Sequence, residues 1–220
     1  MNKALMIGLG VVVAFATSAV LAQDIKGDAA AGAQKNAMCI GCHNIIGYQS
    51  SFPEVYKVPM ISGQSAGYID AALHEYKSGE RKFPTMRGIA ISLTDQDVAN
   101  LAAYYAADGK KIEVPEKPAK EPGSDVAALL QKGACVSCHG ENFSKPISEA
   151  YPKIAGQHPD YLYVALKAYK NPNEGPYSGR ANGIMGGVAS QFSNSELKAL
   201  ANYIGSLDGQ LQVVPESRFR

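Results

Sequence analysis

Apolar side chains recur every three or four residues in corresponding segments of the two halves of the chain. The repeating positions are Val98, Leu101 and Tyr104 in one half and Leu197, Leu200 and Tyr203 in the other. This spacing places them on one face of a helix. Thr94 and Ser193 precede the segments with an acidic residue three positions later, which is a helix-capping signal. The pattern predicts an all-α fold with no substantial sheet.

The halves are also related in detail, because the segment P-x-I-x-G-Q occurs at residues 59–64 and again at 152–157. Further matches keep the same order: Tyr68 with Tyr161, Leu73 with Leu166, Tyr76 with Tyr169, Met86 with Met185, Leu101 with Leu200, and Tyr104 with Tyr203. Such self-similarity indicates a tandem repeat of one module. Residues 23–109 and 124–220 are the two predicted domains.

Residues 110–123, KKIEVPEKPAKEPG, separate the repeats. They are rich in proline, lysine and glutamate and contain almost no apolar side chain. Such a composition predicts an extended linker on the surface.

Residues 4–22 contain no charge, follow Lys3, and end in small side chains. They predict a signal peptide, residues 1–22, cleaved after Ala22. The alternative is an uncleaved membrane anchor, because a bilayer span needs only about 20 apolar residues. Either interpretation exports residues 23–220, to the periplasm in a bacterium with two membranes. The second interpretation, an uncleaved anchor, implies peripheral or anchored association with the membrane.

The 220-residue chain has a formal net charge of +1, and the signal peptide contributes one of its 21 basic side chains. The mature chain is therefore neutral, with 20 basic and 20 acidic groups. A neutral chain without a basic stripe lacks the electrostatic signature of nucleic-acid binding.

All four cysteines belong to two C-x-x-C-H motifs. The motif residues are Cys39, Cys42 and His43, and Cys135, Cys138 and His139. Two thiols one helical turn apart can bond the two vinyl-derived carbons of a porphyrin, which holds the adjacent histidine against the iron. A thioredoxin-like redox pair or a zinc site would explain a single C-x-x-C, but neither requires the histidine twice. The motifs predict two covalently bound haem c groups.

Each iron needs a second axial ligand besides His43 or His139. Methionine is suited to electron carriers because a soft thioether raises the potential. Met185 is the only methionine of its half, and Met86 occupies the equivalent place in the first half. They are the predicted ligands, whereas Met60 aligns with Lys153 and is interpreted as packing.

Pro59 and Pro152 are repeated residues whose carbonyls could accept a hydrogen bond from the haem histidines and orient them. A plain turn before the next helix is the other interpretation. Side chains such as Tyr68, Arg87 and Tyr161 are candidate contacts for haem carboxylates, without a pattern that selects among them.

The two C-x-x-C-H modules, the repeated P-x-I-x-G-Q and the segments MRGIA…TDQD and MGGVA…SNSE resemble the dihaem cytochrome c4 family over residues 24–209. The resemblance implies two class I cytochrome c domains facing each other, with His/Met ligation of both irons. It also implies a periplasmic carrier between a cytochrome bc complex and a terminal oxidase, often of cbb3 type. Asn44, the loop 45–52 and the tail 210–220 depart from the family pattern, and we expect the tail to contact a partner.

Three functions are compatible with these features. The first is an electron carrier rather than an enzyme, which the symmetric methionines favour. The second is a dihaem peroxidase or thiosulfate dehydrogenase, which needs an open or replaceable iron position. The third is an electron-accepting subunit of a sulfide dehydrogenase-like complex.

Overall fold

The computed structural model describes residues 25–216. The predicted signal peptide and the last four residues lie outside this range. The all-α prediction is confirmed, because the described residues form helices with a single two-stranded hairpin. No helix between residues 25 and 216 has the length and apolar character to cross a membrane.

The first half contains five helices and the hairpin. They are α1 (Ala29–Lys35), α2 (Ala37–His43), β1 (Gln49–Ser50), β2 (Tyr56–Lys57), α3 (Ala66–Ser78), α4 (Pro84–Ala90) and α5 (Asp95–Ala107). The strands are antiparallel, with Gln49 opposite Lys57. The second half repeats the helices in the same order without the hairpin. They are α6 (Ser124–Lys132), α7 (Val136–His139), α8 (Pro159–Lys170), α9 (Gly183–Ala189) and α10 (Asn194–Gly205).

Both predicted capping boxes are present. The Thr94 hydroxyl accepts a hydrogen bond from the backbone N–H of Asp97, whose carboxylate accepts from the N–H of Thr94. Ser193 and Glu196 make the same reciprocal pair at the start of α10. These bonds satisfy N–H groups that a helix N-terminus leaves without partners.

Each half has its own hydrophobic core around its last helix. The first core contains Ile69, Leu93, Val98, Leu101, Ala102 and Tyr105. The second contains Leu130, Phe143, Ala155, Leu162, Tyr169, Ala189, Phe192, Leu197, Leu200, Ala201, Tyr203, Ile204 and Leu207. The helical spacing read from the sequence therefore identifies the faces of α5 and α10 that are buried.

The segment between the halves is bound to the surface of the second half. Val114 is buried, and the Asn142 side chain donates to the carbonyl of Pro115. The Tyr203 hydroxyl donates to the carbonyl of Lys120. Residues 110–123 thus form no helix or strand, and these contacts attach them to the second half.

The C-terminal tail turns back onto the first half. The N–H of Gln212 donates to the carbonyl of Ser62 at 3.0 Å, and Leu211 is buried. The Gln212 side chain also bonds both backbone groups of Lys110. We expected the tail to contact a partner, but its first part contacts other residues of the same chain.

Candidate functional site

The two halves enclose one continuous cavity of about 520 Å³. All eight predicted site residues line it: Cys39, Cys42, His43 and Met86 from the first half, and Cys135, Cys138, His139 and Met185 from the second. The folding of each module thus brings together residues that are far apart in sequence.

The four cysteines are unpaired. Burial raises the pKa of the Cys39 and Cys135 thiols. Cys39 and Cys42 lie one turn apart on α2, so they present two thiols to the same part of the cavity. In the second half, Cys135 is the N-cap residue of α7 and Cys138 lies within this helix, so these two thiols are also close to one turn apart. This is the donor set needed to attach a porphyrin by two thioethers.

Both motif histidines are held by a proline carbonyl. His43 Nδ1 lies 2.8 Å from the carbonyl oxygen of Pro59, and His139 Nδ1 lies 3.0 Å from that of Pro152. Burial lowers the pKa of both imidazoles, although the carbonyl bonds act in the opposite direction. Each ring is therefore neutral, with Nδ1–H as the donor and Nε2 left as a free lone pair. The carbonyls of Pro59 and Pro152 therefore accept the hydrogen bonds that orient these histidines.

Met86 and Met185 hold equivalent positions, each as the third residue of a short helix on the cavity wall. The Asn182 side chain caps α9 by accepting from the N–H of Met185. Met38 and Met60 also line the cavity, so cavity lining alone does not select among the methionines. Helix register across the repeat does select Met86 and Met185.

Two arginines that we did not single out lie buried where the halves meet. Arg81 and Arg180 are 4 % and 8 % exposed, and their backbones face each other in an antiparallel bridge. Their guanidinium groups lie over tyrosine rings. The rings are those of Tyr68 and Tyr76 for Arg81, and of Tyr161 and Tyr169 for Arg180.

The two guanidinium groups differ in their counter-charges. Arg81 Nε is paired with the carboxylate of Glu75. Arg180 donates to the Tyr161 hydroxyl at 3.0 Å, but no carboxylate of the described residues pairs with it. Burial alone would raise the pKa of Tyr161, yet the two nearby guanidinium groups outweigh it and lower that pKa. A buried cation without a carboxylate favours an anionic group in the cavity.

The repeat contains a signal that identifies these arginines. Arg81 and Arg180 each stand five residues before the candidate methionine of their half. Arg87, named from sequence as a candidate, is an exposed residue of α4. The sequence prediction did not include these arginines, because it aligned the halves mainly through aromatic and apolar residues.

The cavity fits two haem groups chemically. It offers two thiols, a neutral imidazole nitrogen and a thioether from each half, on largely apolar walls. The carboxylates of a haem are anions, and the buried arginines supply positive charge for them.

The chain is similar to known c-type cytochromes. The cytochrome c family model matches residues 124–208. Cytochrome c4 of Pseudomonas aeruginosa is 30 % identical over 82 % of this chain and 89 % of its own length. The thiosulfate dehydrogenase electron acceptor of Stutzerimonas stutzeri is 30 % identical, covering 80 % of this chain and 82 % of its own.

A solved structure shares the two-domain architecture. Reduced recombinant cytochrome c4 from Pseudomonas stutzeri superposes with a TM-score of 0.60 at 28 % identity, over 83 % of this chain and 100 % of that chain. The similarity in sequence and in structure thus extends over both halves. The chain belongs to the cytochrome c4 family, and it is a dihaem electron carrier with two covalently bound haem c groups.

Proposed function

We propose that each half binds one haem through the four residues that the repeat places on the cavity wall. The first haem is attached by Cys39 and Cys42 and ligated by His43 and Met86. The second is attached by Cys135 and Cys138 and ligated by His139 and Met185. The observation that carries this assignment is the equivalence of the two sets. Each has a proline-bound histidine and a methionine at the same helical register.

The haem, when bound, supplies an iron that gains or loses one electron. The chain's residues set the conditions for that change. Pro59 and Pro152 hold the imidazoles in the tautomer that presents Nε2. The thioethers of Met86 and Met185 favour the reduced iron. Arg180 neutralises carboxylate charge in the cavity. An iron held by a histidine and a methionine of each half would have no position open to a substrate, so this arrangement supports electron transfer.

The respiratory role is the finer part of the proposal. We infer a periplasmic carrier that accepts electrons from a cytochrome bc complex and delivers them to a terminal oxidase, with a cbb3-type enzyme as one candidate. Membership of the family and the predicted signal peptide support this role. The similarity to a thiosulfate dehydrogenase electron acceptor favours a second donor, a thiosulfate-oxidising enzyme.

Carbon monoxide binding to the reduced protein tests the carrier assignment. We expect no rapid ligand-bound spectrum at either haem, because both iron positions are occupied by side chains. The Met185→Ala variant, with one position opened, is the positive control and should bind carbon monoxide at one haem. Rapid binding by the unsubstituted protein would favour an enzyme.

The two donors are separated by reduction kinetics. The oxidised protein is mixed with a reduced cytochrome bc complex, or with a thiosulfate dehydrogenase and thiosulfate, and haem reduction is followed. Rapid reduction by the first alone supports the respiratory role. Rapid reduction by the second alone supports thiosulfate oxidation.

A further inference from the structure

Two glutamine side chains cross between the halves in a reciprocal arrangement. Gln157 Oε1 accepts from the N–H of Met60 at 3.0 Å, and its Nε2 donates to the carbonyl of Met60 at 2.9 Å. Gln64 bonds the N–H and the carbonyl of Lys153 in the same way, both at 2.9 Å. Both glutamines are buried. Each amide therefore pairs with the backbone of the other half as a neighbouring strand would.

The amide orientation is determined by the hydrogen bonds. Gln157 Oε1 also accepts from the N–H of His158, and Gln64 Oε1 accepts from the N–H of Ser65. An inverted amide would point its NH₂ group at two N–H donors and lose both bonds. The oxygen of each glutamine must therefore face the partner backbone N–H.

The N–H bound by Gln157 belongs to the peptide group that holds His43. This peptide joins Pro59 to Met60, so its carbonyl accepts from His43 Nδ1 while its N–H donates to Gln157. The corresponding groups in the other direction are Gln64, the Pro152–Lys153 peptide and His139. In each case one planar peptide links a glutamine of one half to the histidine of the other.

Hydrogen bonds in such a chain polarise one another. An acceptor on the peptide N–H increases the negative charge on the carbonyl oxygen, which strengthens the bond that this oxygen accepts from the imidazole. A stronger bond at Nδ1 makes the imidazole a better electron donor at Nε2. Electron donation to the iron stabilises its oxidised state and lowers the reduction potential.

We propose that Gln157 lowers the potential of the first haem and Gln64 that of the second, each acting as a positioning residue across the interface. This inference rests on the proposed function, in which His43 and His139 ligate the irons. Its consequence is that docking of the two halves adjusts both potentials, because separation would remove both glutamine contacts at once.

The test is the Gln157→Leu variant of the full haem-loaded protein, titrated by spectroelectrochemistry. The two steps are assigned with Met86→Ala and Met185→Ala, each of which displaces one of them. We expect the first haem's potential to rise and the second's to stay unchanged. The expected change in its reduction equilibrium constant is about twofold to tenfold, where tenfold corresponds to 59 mV for one electron. Gln64→Leu should raise only the potential of the second haem.

Gln157→Glu is the conservative variant. It keeps an oxygen acceptor for the N–H of Met60 in either protonation state, so the first potential should not rise. Tyr177→Ala is the matched control for a loosened interface. It removes the ring contact with Phe52 at 5.2 Å across the halves and touches neither peptide.

Each result is decisive. A rise confined to the haem of the opposite half supports the proposal. Unchanged potentials in both leucine variants, or equal shifts of both haems as in a loosened interface, would overturn it. Failure of the ligand assignment is recognised separately, because Met86→Ala or Met185→Ala would then leave the thioether–iron absorption band of the corresponding haem intact.

Discussion

The two halves hold equivalent site residues but differ in the segment between the haem histidine and the P-x-I-x-G-Q motif. In the first half this segment forms the hairpin and reaches the other half. Its contacts are Lys57 N–H with Asp160, Glu54 with Lys167, and the Phe52 ring with Tyr177. In the second half residues 140–151 form no hairpin, and the segment bonds the motif that follows it, because the carbonyl of Phe143 accepts from the N–H groups of Ile154 and Ala155.

This contrast involves the loop 45–52, which departs from the family pattern and contributes Phe52 to the contacts between the halves. Residues that ligate a cofactor are constrained in both copies, since each module needs the same donors. A loop at a domain interface is free of that constraint. The repeat therefore preserves the candidate site, while one copy of the segment forms a hairpin that adds contacts between the halves.

The largest effect is expected at the axial positions. Met86→Ala and Met185→Ala should each remove one thioether–iron absorption band, near the red end of the oxidised spectrum, and lower that haem's potential. Met60→Ala is the matched control and should do neither, because Met60 aligns with Lys153 and has no counterpart in the second half. Loss of a band in the Met60 variant, with Met86 intact, would contradict the assignment.

The buried arginines should respond differently to removal of their charge. Arg180→Gln should lower the potential of at least one haem. The free energy of reduction should become less favourable by about 1–2 kcal/mol, the interaction of charges ~8–16 Å apart at an effective dielectric of ~20. Arg81→Gln should lower the potential less, because the released Glu75 carboxylate is partly exposed and can turn toward water, which screens its charge. It should instead reduce the free energy of unfolding by about 1–3 kcal/mol.

A redox titration and a urea unfolding curve of each arginine variant check this difference. The Lys132→Gln variant, with its charge at the edge of the second half, is a control for loss of a surface cation. Equal potential shifts in the Arg81 and Arg180 variants would show that Glu75 does not distinguish them.

The first helices of the two halves should differ in their tolerance of a methyl group. A Cβ at Gly32 would lie 2.2 Å from the carbonyl oxygen of Asn100. Gly32→Ala should therefore destabilise the protein by about 1–3 kcal/mol through overpacking. The aligned Ala128 is exposed, so Ala128→Gly should cost only about 0.5–1 kcal/mol in helix propensity. Equal losses in thermal unfolding would contradict the packing difference.

The smallest effect concerns the two capping boxes, which should behave alike. Thr94→Ala and Ser193→Ala should each cost about 1 kcal/mol in free energy of unfolding. Hydrogen bonds from the capping backbone and hydroxyl lower the pKa of Asp97 and of Glu196. A lowered folded-state pKa contributes stability above the unfolded values of about 3.9 and 4.3. That stability is lost as the pH falls through the folded values.

Unfolding temperatures measured from pH 6 down to pH 2 check the direction. Asp97→Asn and Glu196→Gln should each reduce the loss of stability on acidification. A steeper acid loss in either variant would contradict the role of the carboxylate.

Local patterns in the sequence were sufficient for much of this protein. The C-x-x-C-H motifs, the capping boxes and the apolar faces of α5 and α10 each depend on residues within a few positions of one another. Their geometry follows from helix spacing and needs no knowledge of distant contacts. The choice of Met86 and Met185 came from the repeat, which compares one module with the other.

Only the tertiary structure decided how the modules meet. Gln64 and Gln157 each bond a backbone group in the other half, and Arg180 comes to lie beside Arg81. The same applies to the tail, where Gln212 returns to Ser62. These contacts join residues separated by most of a module or more, and no local periodicity encodes such distances. They arise when two folded surfaces fit together, so the sequence predicted the cofactor sites, whereas only the docked structure contains the contacts that connect them.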